Sequence, residues 1–163
     1  MDLITSIRQT FQRVKKPSLR ELQWAIQSLE LTAEQVQPFI QNPTYLPYGR
    51  TIMFKSEEVE AVLIHLPGKA ETAIHDHGDS IGCGIVLEGE LENAIYRLDA
   101  YCYPIEAASF VVGTNEFFTA PKGQVHQMRN AREERLITFH VYTPALAGAV
   151  NYLPYEQVLD FVI

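Results

Sequence analysis

Cysteine is nearly absent: Cys83 and Cys102 are the two in 163 residues. So few exclude a secreted scaffold held together by disulfides. Long apolar runs are missing too, since no stretch approaches the ~18 residues that a bilayer-spanning helix needs. Positive charge is in short supply, with 13 Lys and Arg against 20 Asp and Glu. The net charge of −7 repels phosphate backbones and anionic lipid, so neither nucleic acid nor membrane is expected as a partner. Linkers, low-complexity segments and tandem repeats are lacking. The chain therefore reads as one domain over residues 1–163, long enough to bury a core of its own. Its opening, "MDLITSIRQTFQRVKK", joins an acid to apolar residues at helical spacing, unlike a secretory or transit leader, and the expected compartment is the cytoplasm.

What is present changes character once along the chain. Leu3, Ile4, Ile7, Phe11 and Val14 recur at three and four residues, the period of an amphipathic helix. In "PSLRELQWAIQSLEL", Ser18 and Glu21 have the spacing of a capping box ahead of Leu22, Ala25, Ile26 and Leu29. A shorter helix capped by Thr32 and disturbed at Pro38 follows. From Arg50 onward the text becomes short apolar runs broken by Gly, Pro, Asn and Asp: "RTIMFKS", "VEAVLIHL", "CGIVLEG", "ELENAIYRL", "ASFVVG", "EFFTA", "QVHQMRN" and "RLITFHVYT". Strands at this spacing predict an antiparallel sandwich or small barrel of jelly-roll kind. The fold class is thus mainly β, with a helical cap over about 1–44 and a β-barrel over about 45–163.

Histidine is scarce, with five in the chain, yet "AIHDHGDSIGCGIVLEG" places His75 and His77 one residue apart. On a strand, residues i and i+2 share a face about 6.6 Å apart, so both rings can converge on one ion while Asp76 turns away. Paired surface histidines on a loop would explain this pair equally well; the wider spacing decides. Gly68, His75, His77 and Gly89 resemble the first cupin motif, with one extra residue after Gly68 and with Gly82 where the motif has Glu. Pro121, Gly123, His126 and Asn130 match the second cupin motif, and Asn115 stands where that motif usually opens with Gly. The resemblance implies a cupin-type barrel and three histidine ligands, His75, His77 and His126. Without the Glu, a coordination position is left open around a neutral three-histidine face, which suits zinc hydrolysis and iron–oxygen chemistry alike.

Two further patterns narrow the chemistry. In "LITFHVYTP", Thr138, His140 and Tyr142 alternate, so one strand face carries a hydroxyl, an imidazole and a phenol in a row. Alone, such a row is a polar stripe at a sheet edge. In "LPYGRTIMF", Arg50 opens the first strand with Tyr48 two residues before it. A guanidinium offers forked donors to a carboxylate, although a surface arginine paired with a nearby acid is the commoner case.

Taken together, "YGR", "IHDHGDS", "VLEGEL", "HQMRN" and "HVYTP" resemble the cysteine dioxygenases, cupin-fold iron enzymes, over about residues 48–144. That resemblance implies Fe(II) on His75, His77 and His126, with L-cysteine and O2 as substrates and cysteine sulfinate as product. It implies that Arg50 grips the substrate carboxylate, with Tyr48 completing that site. Thr138, His140 and Tyr142 line the oxygen side, and Ile64, Leu66 and Met128 wall the pocket. In animal members a cysteine at the position of Gly82 is joined to the tyrosine matching Tyr142. Cys83 is one residue along and faces the other way, so no crosslink is expected. Thr138 replaces the family's serine and keeps its hydroxyl. His65 is read as structural, Trp24 as a packing residue and Cys102 as a small buried or turn residue. The chain is expected to be a monomer. Competing readings are a dioxygenase of 3-mercaptopropionate or another small thiol, a non-catalytic metal-binding cupin, and a zinc or manganese sugar-phosphate isomerase.

Overall fold

Short helices come first because the chain supplies their caps. Helix α1 (Leu3–Phe11) begins where the Asp2 side chain accepts from the Thr5 N–H, and α2 (Leu19–Ser28) begins with the reciprocal Ser18–Glu21 capping box. A second capping box, Thr32 with Gln35, opens α3 (Ala33–Val36), which tightens into a 3-10 turn over Gln37–Phe39 at Pro38. Each such cap is worth about 1 kcal/mol, enough to define where a helix of this length starts. Helix α1 stops at Phe11, so Val14 packs from the loop beyond it rather than from a last turn.

The computed structural model describes residues 1–160. Ten strands follow the helices among these residues: β1 (Gly49–Lys55), β2 (Glu60–Leu66), β3 (Ile74–His75), β4 (Ile81–Glu88), β5 (Leu91–Leu98), β6 (Pro104–Val112), β7 (Phe117–Ala120), β8 (Val125–Arg129), β9 (Leu136–Thr143) and β10 (Asn151–Tyr152). Helix α4 (Tyr155–Asp160) closes the described chain. All pairings are antiparallel, in two five-stranded sheets ordered β1-β2-β9-β4-β7 and β10-β3-β8-β5-β6. The eight runs seen in sequence are all strands; β3, β10 and α4 are additions. No helix of the described residues is long and apolar enough to cross a membrane.

The first sheet is buried on both faces. One face packs Ala61, Leu63, Cys83, Ile85, Phe139 and Val141 against Ile7, Phe11, Leu22 and Ile26 of the helices. The opposite face of the same strands presents Val62, Ile64, Thr138, His140 and Tyr142 to the interior between the sheets. This double burial takes in all eight residues of β9, the polar row Thr138, His140 and Tyr142 included.

Strand β4 carries two glycines on the inner face, and both make room for rings. A Cβ on Gly82 would lie 2.7 Å from Cδ1 of Tyr142, and one on Gly84 would lie 2.4 Å from Cζ of Phe118. The alternation in "GCG" thus seats two aromatic rings inside the barrel while Cys83 faces the helices. Trp24 departs from its expected packing role: it is 57% exposed, with the Arg20 guanidinium 5.1 Å from its ring centroid.

Candidate metal centre and facing relay

Three histidines meet between the sheets. His75 ends β3, His126 lies opposite it on β8, and His77 follows in the turn after β3 rather than on a strand. Their candidate ligand atoms all lie within 4.8 Å of one another. His77 and His126 are almost wholly buried, at 5% and 1% exposure.

Hydrogen bonds to the far side of two rings fix which nitrogen points inward. Nδ1 of His75 lies 2.8 Å from the Ala73 carbonyl, and Nδ1 of His126 lies 2.8 Å from Oδ1 of Asn93. A carbonyl oxygen can only accept, so each Nδ1 carries the proton and each Nε2 keeps its lone pair. Nε2 of His77 and Nε2 of His126 are buried and have no hydrogen-bond partner. An unpaired buried polar atom costs about 1–3 kcal/mol, so a group of them converging on one point calls for a cation.

The local field keeps these rings neutral. Burial, reinforced by the neighbouring His75, pulls His77 down to about 4. His126 is driven well below the ordinary histidine range by burial and then by His75 and His77, and burial also lowers His75. At neutral pH all three imidazoles present lone pairs, the form that binds a metal. Such a donor set suits zinc, copper, iron and nickel. The residues fit a divalent metal ion.

The short turn before His126 follows from the second motif. Gln124 N–H donates to the Pro121 carbonyl at 3.1 Å, and Gly123 takes φ +81° at the bend. Asn130 donates to the carbonyls of Leu66, Pro67 and Glu134, so this residue ties loops together at the barrel end. Asn115 has φ +67°, a conformation its short polar side chain tolerates where glycine is usual. Asp76 turns away from the cluster and accepts from Gly78 N–H, Val150 N–H and the Tyr152 hydroxyl. It thereby pins the segment carrying β10 alongside His75.

Across the interior, β9 supplies a continuous hydrogen-bonded row. Thr138 Oγ1 lies 2.7 Å from His140 Nε2, and Tyr142 Oη lies 3.1 Å from His140 Nδ1. Burial, with His77 and His75 adding repulsion, holds His140 down to about 3, so its ring is neutral. One ring nitrogen then donates and the other accepts, and the row is polarised in a single direction at any moment. Burial pushes the Tyr142 phenol up against the opposing pull of Arg50, so it stays protonated as a donor. Its ring centroid lies 4.9 Å from that of His77, which joins the relay to the histidine cluster.

Members of both sets line one cavity of about 220 Å³ between the sheets, while His126 and Thr138 lie outside its lining. Arg50, Tyr48, Ile64, Met128, His140 and Tyr142 all reach it, together with His75 and His77. The structure does not bring Leu66 there: it is fully buried beside Val86, Leu91 and Leu136, farther along the barrel. His65 faces away and its Nδ1 lies 3.0 Å from the Gln41 carbonyl, a structural contact as expected. Cys83 is buried on the helix side of β4 and its thiol is pushed up to about 12, while Cys102 sits exposed in a turn.

Two residues here escaped the reading of the sequence. Asn93 orients His126 from β5, and no spacing rule connects it to that histidine. Glu60 is 2% exposed, and its Oε1 accepts from Arg50 Nη2 at 2.6 Å. Its Oε2 lies 3.2 Å from Lys55 Nζ and accepts from the Leu146 N–H at 3.2 Å. Burial works to raise the Glu60 carboxyl, but the bonds from Arg50 and Lys55 outweigh it and hold the pKa below the usual carboxylate value. "SEEVEA" offers three glutamates, and only the strand register shows that the third turns inward.

No protein-family model matches the chain. Solved structures do. An uncharacterized conserved protein with a double-stranded β-helix domain from Klebsiella pneumoniae aligns at a TM-score of 0.58 and 22% identity, over 72% of this chain and 94% of its own. An oxalate oxidase in complex with the substrate analogue glycolate aligns at 0.57 and 18% identity, over 76% of this chain and 69% of its own. The Cnp3 cupin domain of Schizosaccharomyces pombe aligns at 0.55 and 17% identity, over 66% and 71% of the two chains. The fold is therefore that of the cupins, the double-stranded β-helix. Within that class, this chain carries a buried three-histidine group able to hold a metal ion.

Proposed function

We propose that the chain is an iron-dependent thiol dioxygenase that adds both atoms of O2 to the sulfur of L-cysteine, giving cysteine sulfinate. One observation carries this reading: the neutral rings of His75 and His77, whose group His126 completes, share a cavity of about 220 Å³ with a cationic arginine and a buried tyrosine donor. His75, His77 and His126 would hold the iron, which supplies a positive charge that favours the substrate thiolate and the electrons that activate O2.

The chain's own residues do the positioning. Arg50 and Lys55 carry two positive charges against one on Glu60, so the group has a cation to spare for a substrate carboxylate. Only Nη2 of Arg50 is committed to Glu60, which leaves further guanidinium donors for a bidentate grip. Holding the carboxylate at that wall directs the substrate's sulfur toward the histidines, and this is catalysis chiefly by proximity. Tyr48 lines the same wall, where burial raises its phenol against the opposing pull of Arg50, so it is a donor there as well. Tyr142 offers a proton toward the reacting end of the cavity, held in place by His140 and, through it, Thr138. Ile64 and Met128 keep water from the apolar part of the site.

The rival substrate is 3-mercaptopropionate, which keeps the carboxylate and lacks the amine. Arg50 favours cysteine, because the family resemblance associates an arginine at this position with that substrate. Iron content of protein purified without added metal, followed by oxygen uptake and sulfinate detection with each thiol, tests the proposal. Stoichiometric iron with faster sulfinate formation from L-cysteine is expected. Preference for mercaptopropionate would transfer the assignment to that substrate, and metal-loaded protein consuming no oxygen with either thiol would leave a binding protein.

A further inference from the structure

We infer that Glu60 is a positioning residue for the substrate carboxylate, acting through Arg50, and that Lys55 sets the charge of the same group from outside the cavity. The inference rests on the reading of Arg50 as the carboxylate clamp.

A carboxylate at 2% exposure has surrendered its water and must be repaid by partners. Glu60 has three, drawn from three parts of the chain: Arg50 and Lys55 at opposite ends of β1, and the backbone of Leu146 beyond β9. Strand β2 holds the residue in register with Tyr142, so its carboxylate lies behind the wall that Arg50 and Tyr142 present. Neither Glu60 nor Lys55 lines the cavity itself. An unanchored arginine would spread over many rotamers and would lose that freedom each time a substrate bound. Bonded to Glu60, the guanidinium is fixed before the substrate arrives.

Charge is the second half. An Arg50–Glu60 pair by itself is neutral and attracts a carboxylate weakly. Lys55 approaches the other carboxylate oxygen and returns the group to a single positive charge. One positive charge matches one carboxylate, so the group selects monoanionic ligands. Leu146 N–H, on the second oxygen, ties this clamp to the segment whose Leu146, Ala149 and Asn151 also line the cavity.

The test uses the iron-loaded full chain and two thiols, L-cysteine and cysteamine, which shares the amine and sulfur but lacks the carboxylate. Glu60→Ala should raise KM for L-cysteine about tenfold while changing kcat about twofold or less and leaving cysteamine's KM unchanged. Anaerobic calorimetry should show the same loss in L-cysteine binding. If Glu60→Ala unfolds, Lys55→Met carries the test from an exposed position, with an expected rise of about twofold in KM for L-cysteine alone. Arg50→Ala is run beside them. If it raises KM for cysteine and neither other variant does, the positioning role of Glu60 is overturned and the clamp stands. An equal effect of Glu60→Ala on both thiols marks Glu60 as merely structural, which also overturns the inference. Should Arg50→Ala itself leave KM for cysteine unchanged, the clamp reading fails and the inference falls with it.

Discussion

The two sheets of this barrel are built from similar strands and do different work. The sheet β1-β2-β9-β4-β7 is covered by helices on one face and supplies Arg50, Glu60 and the Thr138–His140–Tyr142 row from the other. The sheet β10-β3-β8-β5-β6 supplies His75 and His126, with His77 in the turn after β3 and Asn93 behind them, and leaves Phe110 and Val111 on β6 in solvent. On the proposed function, metal ligation belongs to one wall, and substrate grip and proton handling to the other. If that reading holds, the metal site and the substrate site should fail separately, because no residue of either group is shared.

Breaking the ligand wall should have the largest effect. His126→Ala should lower metal affinity by more than ~100-fold, and Asn93→Ala by about 10–100-fold, both read as iron content after dialysis. Neither change touches Arg50 or the relay. Breaking the facing wall should do the reverse: Arg50→Ala should raise KM for L-cysteine by about 10–100-fold with iron content unchanged in a metal assay. Iron loss in that variant would dissolve the division between the sheets.

A subtler attack leaves every functional group in place. Gly82→Ala pushes a methyl to within 2.7 Å of the Tyr142 ring, so the ring must shift and disturb its hydrogen bond to His140. Steady-state kinetics should show kcat falling about tenfold with iron retained, the same pattern as Tyr142→Phe.

Acid should sharpen the contrast in another way. His77 and His140 are held at about 4 and about 3 in the fold, below the ordinary value near 6.5, so unfolding takes up protons once pH drops under that value. Metal-free protein should therefore be most stable above about pH 6.5 and lose up to about 1.4 kcal/mol per pH unit for each such ring as pH falls toward 4. Melting temperature against pH measures this. The smallest effect belongs far from both walls: Trp24→Ala should shift stability by no more than about 0.5 kcal/mol in a urea titration.

What could be read in advance followed from period and spacing. The paired histidines, the third histidine in its motif and the alternating row on β9 were visible because each is a short local pattern. So were the Ser18–Glu21 capping box, the Thr32 cap and the eight longer strands. Strands β3 and β10 were not, since two residues carry no period: β3 is defined by its pairing with β8 and β10, and Asp76 holds the later segment against His75. Leu66 illustrates a different limit: alternation places it on the inner face, but the barrel is longer than the cavity, and position along the strand decides what an inner residue meets. Trp24 has helical spacing and still faces water. Asn93 and Glu60 depend on pairing between strands, which a single chain of letters does not display.

One consequence follows from the glycine–cysteine order in β4. On the proposed function, an enzyme that oxidises sulfur endangers its own thiols, and here the β4 residue beside the Tyr142 ring is Gly82. Cys83 is turned through the sheet into the helix-covered core, with its thiol pushed up to about 12 and hence almost free of the reactive anion at physiological pH. Under that reading, a single step of strand pleat keeps the protein's own thiol away from the chemistry.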